Sequence, residues 1–294
     1  MDKVIEVRDL ALRFHGAETR ALNEVSFTVR RGEVLGVVGA TGAGKSTLLK
    51  VLSGVIPFHE KEAAYKGEVR LFGREVREYA SLTDVSARVG LVLQDPEVQL
   101  VNTLVREELA WGIENRGFAL EKIAAQMARA AALFDIEPLL DRFTHALSGG
   151  EKQRVVVASV FCLNPEIILL DEPTSELDPA GTESVMNAIR ILADEGVTVI
   201  VVEHKIEELA EYADRLLVLD GGNVAALGKP ADVCIGEFQR GNPNYCPEVL
   251  AFSLQMAARH LWPAQRLAMT VAEASGIWRE LNAPWGEAGG EENA

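Results

Sequence analysis

No stretch of this chain approaches the roughly 18 apolar residues in a row that a bilayer span requires. The longest candidate, Val155 to Leu163, is about half of that. The opening residues, Met1-Asp2-Lys3-Val4-Ile5-Glu6, hold no apolar h-region, so no secretory signal is expected. A basic excess is missing as well. The formal net charge is −15, which disfavours a nucleic-acid partner, because phosphates need a basic face to neutralise them. Cysteine is scarce: Cys162, Cys234 and Cys246 are an odd number without metal-ligand spacing, which points to a reducing compartment, the cytoplasm. No internal repeat is visible. These absences predict a chain soluble by itself that meets a membrane only through a partner.

What is present is a core. With 294 residues and 48% hydrophobic content, the chain can bury one substantial core plus a smaller appendage. Val4 to Val7, Leu10 to Phe14 and Val25 to Val29 alternate and read as strands. Val34 to Val38 is a continuous apolar run, the sign of a strand covered on both faces. Further strands are expected at Val89 to Leu93, Ile167 to Leu170, Val197 to Val202 and Leu216 to Leu219, separated by helical segments. That alternation predicts an α/β fold with a largely parallel sheet. Between Glu97 and Leu147 the strands stop, and Leu104 to Asn115 and Leu120 to Phe134 have helical spacing, which predicts a helical insertion over about residues 97–160. Past Gly228-Lys229-Pro230 the sheet pattern ends; residues 229–294 read as a small, mostly helical region whose acidic stretch Glu287 to Glu292 is expected to fray.

The chemistry concentrates in two stretches more than a hundred residues apart. Gly39-Ala40-Thr41-Gly42-Ala43-Gly44-Lys45-Ser46 follows the apolar run and precedes a helix beginning at Ser46-Thr47. Strand, glycine loop and helix in that order form a phosphate cradle: glycines let backbone N–H groups converge, and the helix adds its positive end. Lys45 is then the group for the β- and γ-phosphates, and the Ser46 hydroxyl a ligand for Mg²⁺. Asp171 and Glu172 close the apolar strand Ile167 to Leu170; one carboxylate there can hold the metal through water and its neighbour can polarise the attacking water. The second stretch is Leu147-Ser148-Gly149-Gly150-Glu151-Lys152-Gln153. Ser148 and Glu151 also fit a capping box for the helix running to Cys162, and both readings can hold. Gln94, His204 and Phe14 each follow or end a strand, where metal sensing, γ-phosphate contact and adenine stacking compete with ordinary structural roles.

Together these residues resemble the ATP-binding-cassette (ABC) ATPases over about residues 3–228. Gly39 to Ser46 looks like the Walker A loop, Leu147 to Gln153 like the LSGGQ-type signature with Glu151 in place of glutamine, and Asp171 and Glu172 like the Walker B aspartate and catalytic glutamate. Ser175-Glu176-Leu177-Asp178 corresponds to the D-loop, with Glu176 departing from the usual alanine. Gln94 falls at the Q-loop, where it would also ligate the metal, His204 at the switch histidine and Phe14 at the adenine-stacking position. The resemblance implies a P-loop core with an N-terminal antiparallel β subdomain and a helical insertion, ATP and Mg²⁺ as ligands, and a head-to-tail dimer. Ser148, Gly149, Gly150 and Asp178 of one chain would then face the nucleotide held by residues 39–47 of the other.

Within that family, Gln94-Asp95-Pro96-Glu97-Val98-Gln99 and Val105-Arg106-Glu107-Glu108-Leu109-Ala110-Trp111-Gly112-Ile113-Glu114-Asn115 are similar to the energy-coupling-factor (ECF) importers of vitamins and transition-metal ions, although Asp95 replaces the usual asparagine. Val202-Glu203-His204-Lys205 shares that look, and Pro247-Glu248-Val249 and Thr270 to Ala274 resemble the C-terminal region through which those ATPases dimerise. The partners implied are a second ATPase, identical or a sister chain, an integral membrane scaffold and a substrate-binding membrane subunit, with this chain peripheral on the cytoplasmic side. The alternative is the ATPase of an ordinary ABC importer or exporter. A nontransport clamp on ribosomes or DNA is disfavoured by the acidity and by the single cassette, and a scaffold without turnover by Glu172 and His204.

Overall fold

β3 (Val34–Gly39), β7 (Ile167–Asp171) and β8 (Thr198–Val202) are buried at every residue, as continuous apolar runs require when helices cover both faces. The computed structural model describes residues 2–61 and 63–281, and within them the chain divides into two compact units, Met1–Pro230 and Ala231–Ala294. The acidic stretch at residues 287–292 lies outside the described residues.

Two sheets build the first unit. One is antiparallel in the order β2-β1-β4-β5, from β1 (Lys3–Phe14), β2 (Leu22–Arg30), β4 (Ala63–Leu71) and β5 (Arg74–Glu75). The other runs β10-β9-β3-β8-β7-β6, adding β6 (Val89–Val92), β9 (Arg215–Asp220) and β10 (Asn223–Gly228). Its strands are parallel except β10, which pairs antiparallel with β9 at the edge through a turn whose Gly221 and Gly222 both have positive φ. Ile5, Leu10, Leu12, Leu35, Val37, Leu48, Leu52, Leu169, Ile200 and Leu217 belong to one buried cluster, so both sheets share a core.

Helices α1 (Lys45–Leu52), α2 (Val55–Phe58) and α3 (Leu82–Ser86) precede the insertion. The insertion consists of α4 (Val105–Asn115), α5 (Leu120–Leu133) and α6 (Gly149–Cys162), with α4 and α5 packed on α6. Phe134 meets Phe161 edge to face, and the buried Glu108 accepts hydrogen bonds from the backbone N–H groups of Val101 and Asn102, fixing the entry to α4. Helices α7 (Pro179–Asp194) and α8 (Ile206–Tyr212) complete this unit.

Three elements differ from expectation. The strands expected at Val4–Val7 and Leu10–Phe14 are one, β1, interrupted by a register shift between Val7 and Leu10 where Asp9 takes φ 49°. That bulge brings the Gly67 backbone so close that a side chain there would strike the Asp9 carbonyl oxygen at 2.4 Å. The same glycine hides β4, since Lys66-Gly67 reads as a turn. Nor does the sequence mark β10, none of whose residues is buried.

The second unit holds α9 (Pro230–Gln239), α10 (Glu248–Ala258) and α11 (Val271–Leu281). Its small core is Trp262, Ala268 and Ile277, backed by Val249, Met256, Ala257 and Ala274. No helix among the described residues is long and apolar enough to cross a membrane.

Candidate functional site

Gly39 ends β3 with no room for a side chain: a Cβ would lie 2.4 Å from the Leu219 carbonyl oxygen on neighbouring β9. The loop then turns through Gly42 at φ 80° and Gly44 at φ 102°, conformations that glycine adopts without strain. Ala40, Thr41 and Gly42 are exposed, Ala43 is buried, and Gly44 caps α1. Thr47 sits in the first turn of α1, half-buried. Lys45 is buried, and its Nζ donates to the Gly39 carbonyl at 2.7 Å and to the Ala40 carbonyl at 3.2 Å, curled inside its own loop. Burial pulls its ammonium below the usual lysine value, and the nearby carboxylates of Glu172, Asp171 and Glu203 oppose that shift.

The ends of β6, β7 and β8 bring three further groups to this loop. Glu172 follows β7 in a left-handed conformation, φ 51°, at a cost of about 1 kcal/mol for a non-glycine residue. Its backbone N–H donates to the Val202 carbonyl at 2.9 Å, which holds the turn. Gln94 Nε2 donates to Glu172 Oε2 at 2.7 Å, and His204 Nε2 lies 2.8 Å from Glu172 Oε1, so one carboxylate is gripped from two strands. Asp171 is buried with Oδ1 lacking any hydrogen-bond partner, and the Ser46 hydroxyl lies beside the same carboxylate. Burial pushes the Asp171 carboxyl above its ordinary value; Ser46 and Lys45 work against this, and the charge of Glu172 adds to it. The hydroxyl, carboxylate and amide oxygens of Ser46, Asp171 and Gln94 are the hard donors Mg²⁺ prefers. The partnerless Asp171 oxygen is the polar atom that such an ion, or its water, would satisfy.

Ser148, Gly149, Gly150 and Asp178 form a second group. Ser148 caps α6, accepting from the Glu151 N–H, while Glu151 Oε2 accepts from the Ser148 N–H at 2.8 Å. Asp178 caps α7 through the Gly181 N–H at 2.7 Å. These four residues line one cleft of about 470 Å³ together with Glu151, Arg154 and Glu176. Among the described residues no hydrogen bond joins 39–47 to 148–150. Phe14, half-buried at the end of β1, lines a separate cleft of about 450 Å³ with His15, Arg20 and Tyr65. The chain then returns at Ala21, whose carbonyl oxygen closes on Gly44.

No role is read from the sequence for Thr174, Glu203 or Glu208. Thr174 donates to Glu203, which is buried immediately before His204. The available signal was that Glu203 closes the apolar run of β8 just as Asp171 closes that of β7.

A parallel sheet carrying a glycine loop at the C-terminal end of β3, with an acidic pair ending the strand two places away, is the fold and site of a P-loop nucleotide triphosphatase. The family pattern for ABC transporters matches residues 22–175. A putative ABC transporter ATP-binding protein of Pyrococcus abyssi is 41% identical over 231 residues, covering 78% of this chain and 82% of that relative. One of Saccharolobus solfataricus is 37% identical over 76% of this chain, which spans only 42% of that longer relative. Among solved structures, cbiO1 from Clostridium perfringens, part of the ABC transporter complex cbiONQ, superposes with a TM-score of 0.73 at 28% identity, over 88% of this chain and 96% of that one. The dimeric bacterial ABC transporter cassette MJ0796 superposes with a TM-score of 0.68 at 25% identity, over 76% of this chain and 98% of that one. The chain therefore belongs to the ABC transporter family, as an ATP-hydrolysing cassette.

Proposed function

We propose that this chain is the ATPase subunit of an ECF-type importer, converting ATP binding and hydrolysis at a dimer seam into uptake of a vitamin or transition-metal ion. The observation that carries the ECF reading is the likeness to cbiO1, because it spans 88% of this chain rather than the cassette alone. The Gln94 to Asn115 pattern supports it independently.

Residues 39–47 hold the triphosphate of ATP, with the backbone N–H groups and the α1 N-terminus aimed at its oxygens. Lys45 leaves the Gly39 and Ala40 carbonyls for the β- and γ-phosphates. Phe14 stacks on the adenine. Ser46, Gln94 and Asp171 hold Mg²⁺, which when bound neutralises charge on the phosphates. Ser148, Gly149, Gly150 and Asp178 of the partner close over the γ-phosphate from the other side. Glu172, released from Gln94 and His204, accepts a proton from the attacking water, and the bond from the γ-phosphorus to the bridging oxygen breaks as the new P–O bond forms. His204 donates to the γ-phosphate. The exposed apolar side chains Phe252 and Val271 border a cleft of about 610 Å³ between α10 and α11, which serves as the C-terminal contact with the second ATPase. The scaffold and the substrate-binding subunit hold the pair on the cytoplasmic face of the membrane.

The test is purification from membranes with tagged chain. Copurification of a scaffold and a small substrate-binding integral protein is the expected result. Copurification of a permease that itself binds the substrate would instead place the chain in an ordinary ABC transporter.

A further inference from the structure

Loops leave the C-terminal ends of β7 and β8 side by side, and one buried polar contact joins them. Thr174, two residues past Glu172, is 1% exposed, and Glu203, just before His204, is 3% exposed. Thr174 donates to Glu203 Oε1 from its backbone N at 3.0 Å, and its Oγ1 lies 2.7 Å from the same oxygen. Glu208 Oε2 on α8 lies 2.6 Å from the same hydroxyl, and Lys205 Nζ pairs with Glu208 Oε1 at 3.2 Å. A hydroxyl has one proton and cannot donate to two carboxylates. One carboxyl in this triad therefore carries a proton of its own. Glu208 has an ammonium partner and burial pushes the Glu203 carboxyl up to about 7, so the geometry favours the proton on Glu203, donated to the Thr174 hydroxyl, which in turn donates to Glu208. Burying such a group is costly, and nothing in the hydrolysis chemistry requires it to touch nucleotide.

We infer that Glu203 is a positioning residue: through Thr174 it locks the segment bearing His204 to the segment bearing Glu172 and Asp178, so that both move as one body. This rests on the composite-site reading above. Its consequence is that the groups facing the γ-phosphate and the segment facing the partner chain cannot shift independently. A disengaged His204 would drag Asp178 with it, giving one chain's hydrolytic state a route to the other chain's nucleotide.

The test uses four full-length variants assayed with Mg-ATP. Thr174→Val and Glu203→Leu cut the link at similar volume, while Thr174→Ser and Glu203→Gln keep a hydrogen-bonding side chain in place. The first pair is expected to lower kcat about 10- to 100-fold, the loss produced when a catalytic group is displaced by about an ångström, with KM for ATP unchanged. The second pair is expected to keep most of the rate. If Glu203→Leu fails to fold, Thr174→Val carries the same comparison. Adding Glu172→Gln to Thr174→Val should leave the ATP-bound dimer intact, so failure of the composite-site reading appears in Glu172→Gln alone and failure of the link only in kcat. Wild-type kcat in Thr174→Val, or equal losses in the Val and Ser variants, overturns the inference.

Discussion

At the scale of single residues, the Glu172 carboxylate is held between Gln94 and His204 beside Lys45, the position from which the proposed mechanism makes it the general base. Glu172→Gln should bind ATP normally and lose about 10²- to 10⁴-fold in turnover, the usual contribution of a positioned general base. Nucleotide-binding and single-turnover measurements check this, and wild-type turnover would remove Glu172 from its assigned role. Glu203 makes a separate prediction about stability. Its folded carboxyl titrates at about 7, above the ordinary 4.5, so the native chain retains a proton that the unfolded chain has released between those values. Stability therefore falls as pH rises through that window. Replacing it by Gln removes the titration, so the Tm of Glu203→Gln relative to wild type should climb between about pH 5 and about pH 8, and parallel curves would contradict it. The groups around this carboxyl are Thr174, Glu208 with Lys205, and Glu172. Asp171 and Glu172 were readable in the sequence because they close an all-apolar strand next to a glycine loop. Glu203 was not singled out, since its partner Thr174 lies 29 residues away and only the pairing of β7 with β8 brings them together.

At the scale of elements, legibility follows burial. β3, β7 and β8 are apolar but for Thr198 and Asp171 at the strand ends, because they are covered on both faces, and the apolar runs of the sequence mark them nearly to the residue. β1 and β4 were not, since a bulge at Asp9 and a glycine at position 67 break the alternation that marks a one-sided strand. Gly67→Ala meets both φ 88° and a backbone oxygen at 2.4 Å, so it should cost about 2 kcal/mol or more in chemical denaturation; a neutral change would contradict the close packing of β1 on β4. α6 depends on its cap. Ser148→Ala should lower stability by about 1 kcal/mol and weaken cross-chain nucleotide contact, whereas a purely structural serine would change stability alone. In the second unit, Val271 is 69% exposed and Phe252 47% exposed, more apolar surface than so small a core of Trp262, Ala268 and Ile277 accounts for. Under the proposed C-terminal contact the chain should dimerise without nucleotide in light scattering, and Val271→Asp should abolish that dimer while leaving ATP binding intact; an unchanged dimer would move the contact elsewhere.

At the scale of the whole molecule, the site residues fall into two groups: among the described residues no hydrogen bond joins 39–47 to 148–150, and the groups approach only where Gln94 and Gly149 line one cleft. Lys45, Ser46, Asp171, Glu172, Gln94 and His204 converge at the ends of β3, β6, β7 and β8, while Ser148, Gly149, Gly150 and Asp178 converge at the N-termini of α6 and α7. Sequence distance does not foretell that grouping, since Asp171 and Glu172 lie farther along the chain from Lys45 than Ser148 does and yet converge on it. The association that would unite the two groups is expected only through the family resemblance, because residue spacing by itself carries no record of a neighbouring chain. The central claim is that one working site needs two chains, and the most direct measurement is steady-state ATPase activity on mixing two inactive variants. Lys45→Ala is expected to lose nucleotide binding and Ser148→Arg to be unable to close over a partner's nucleotide, so each alone should be silent. Mixed, they assemble dimers in which an intact 39–47 loop faces an intact 148–150 segment, and hydrolysis should return. Silence of the mixture despite measured heterodimer formation, or full activity of Ser148→Arg by itself, would contradict the account.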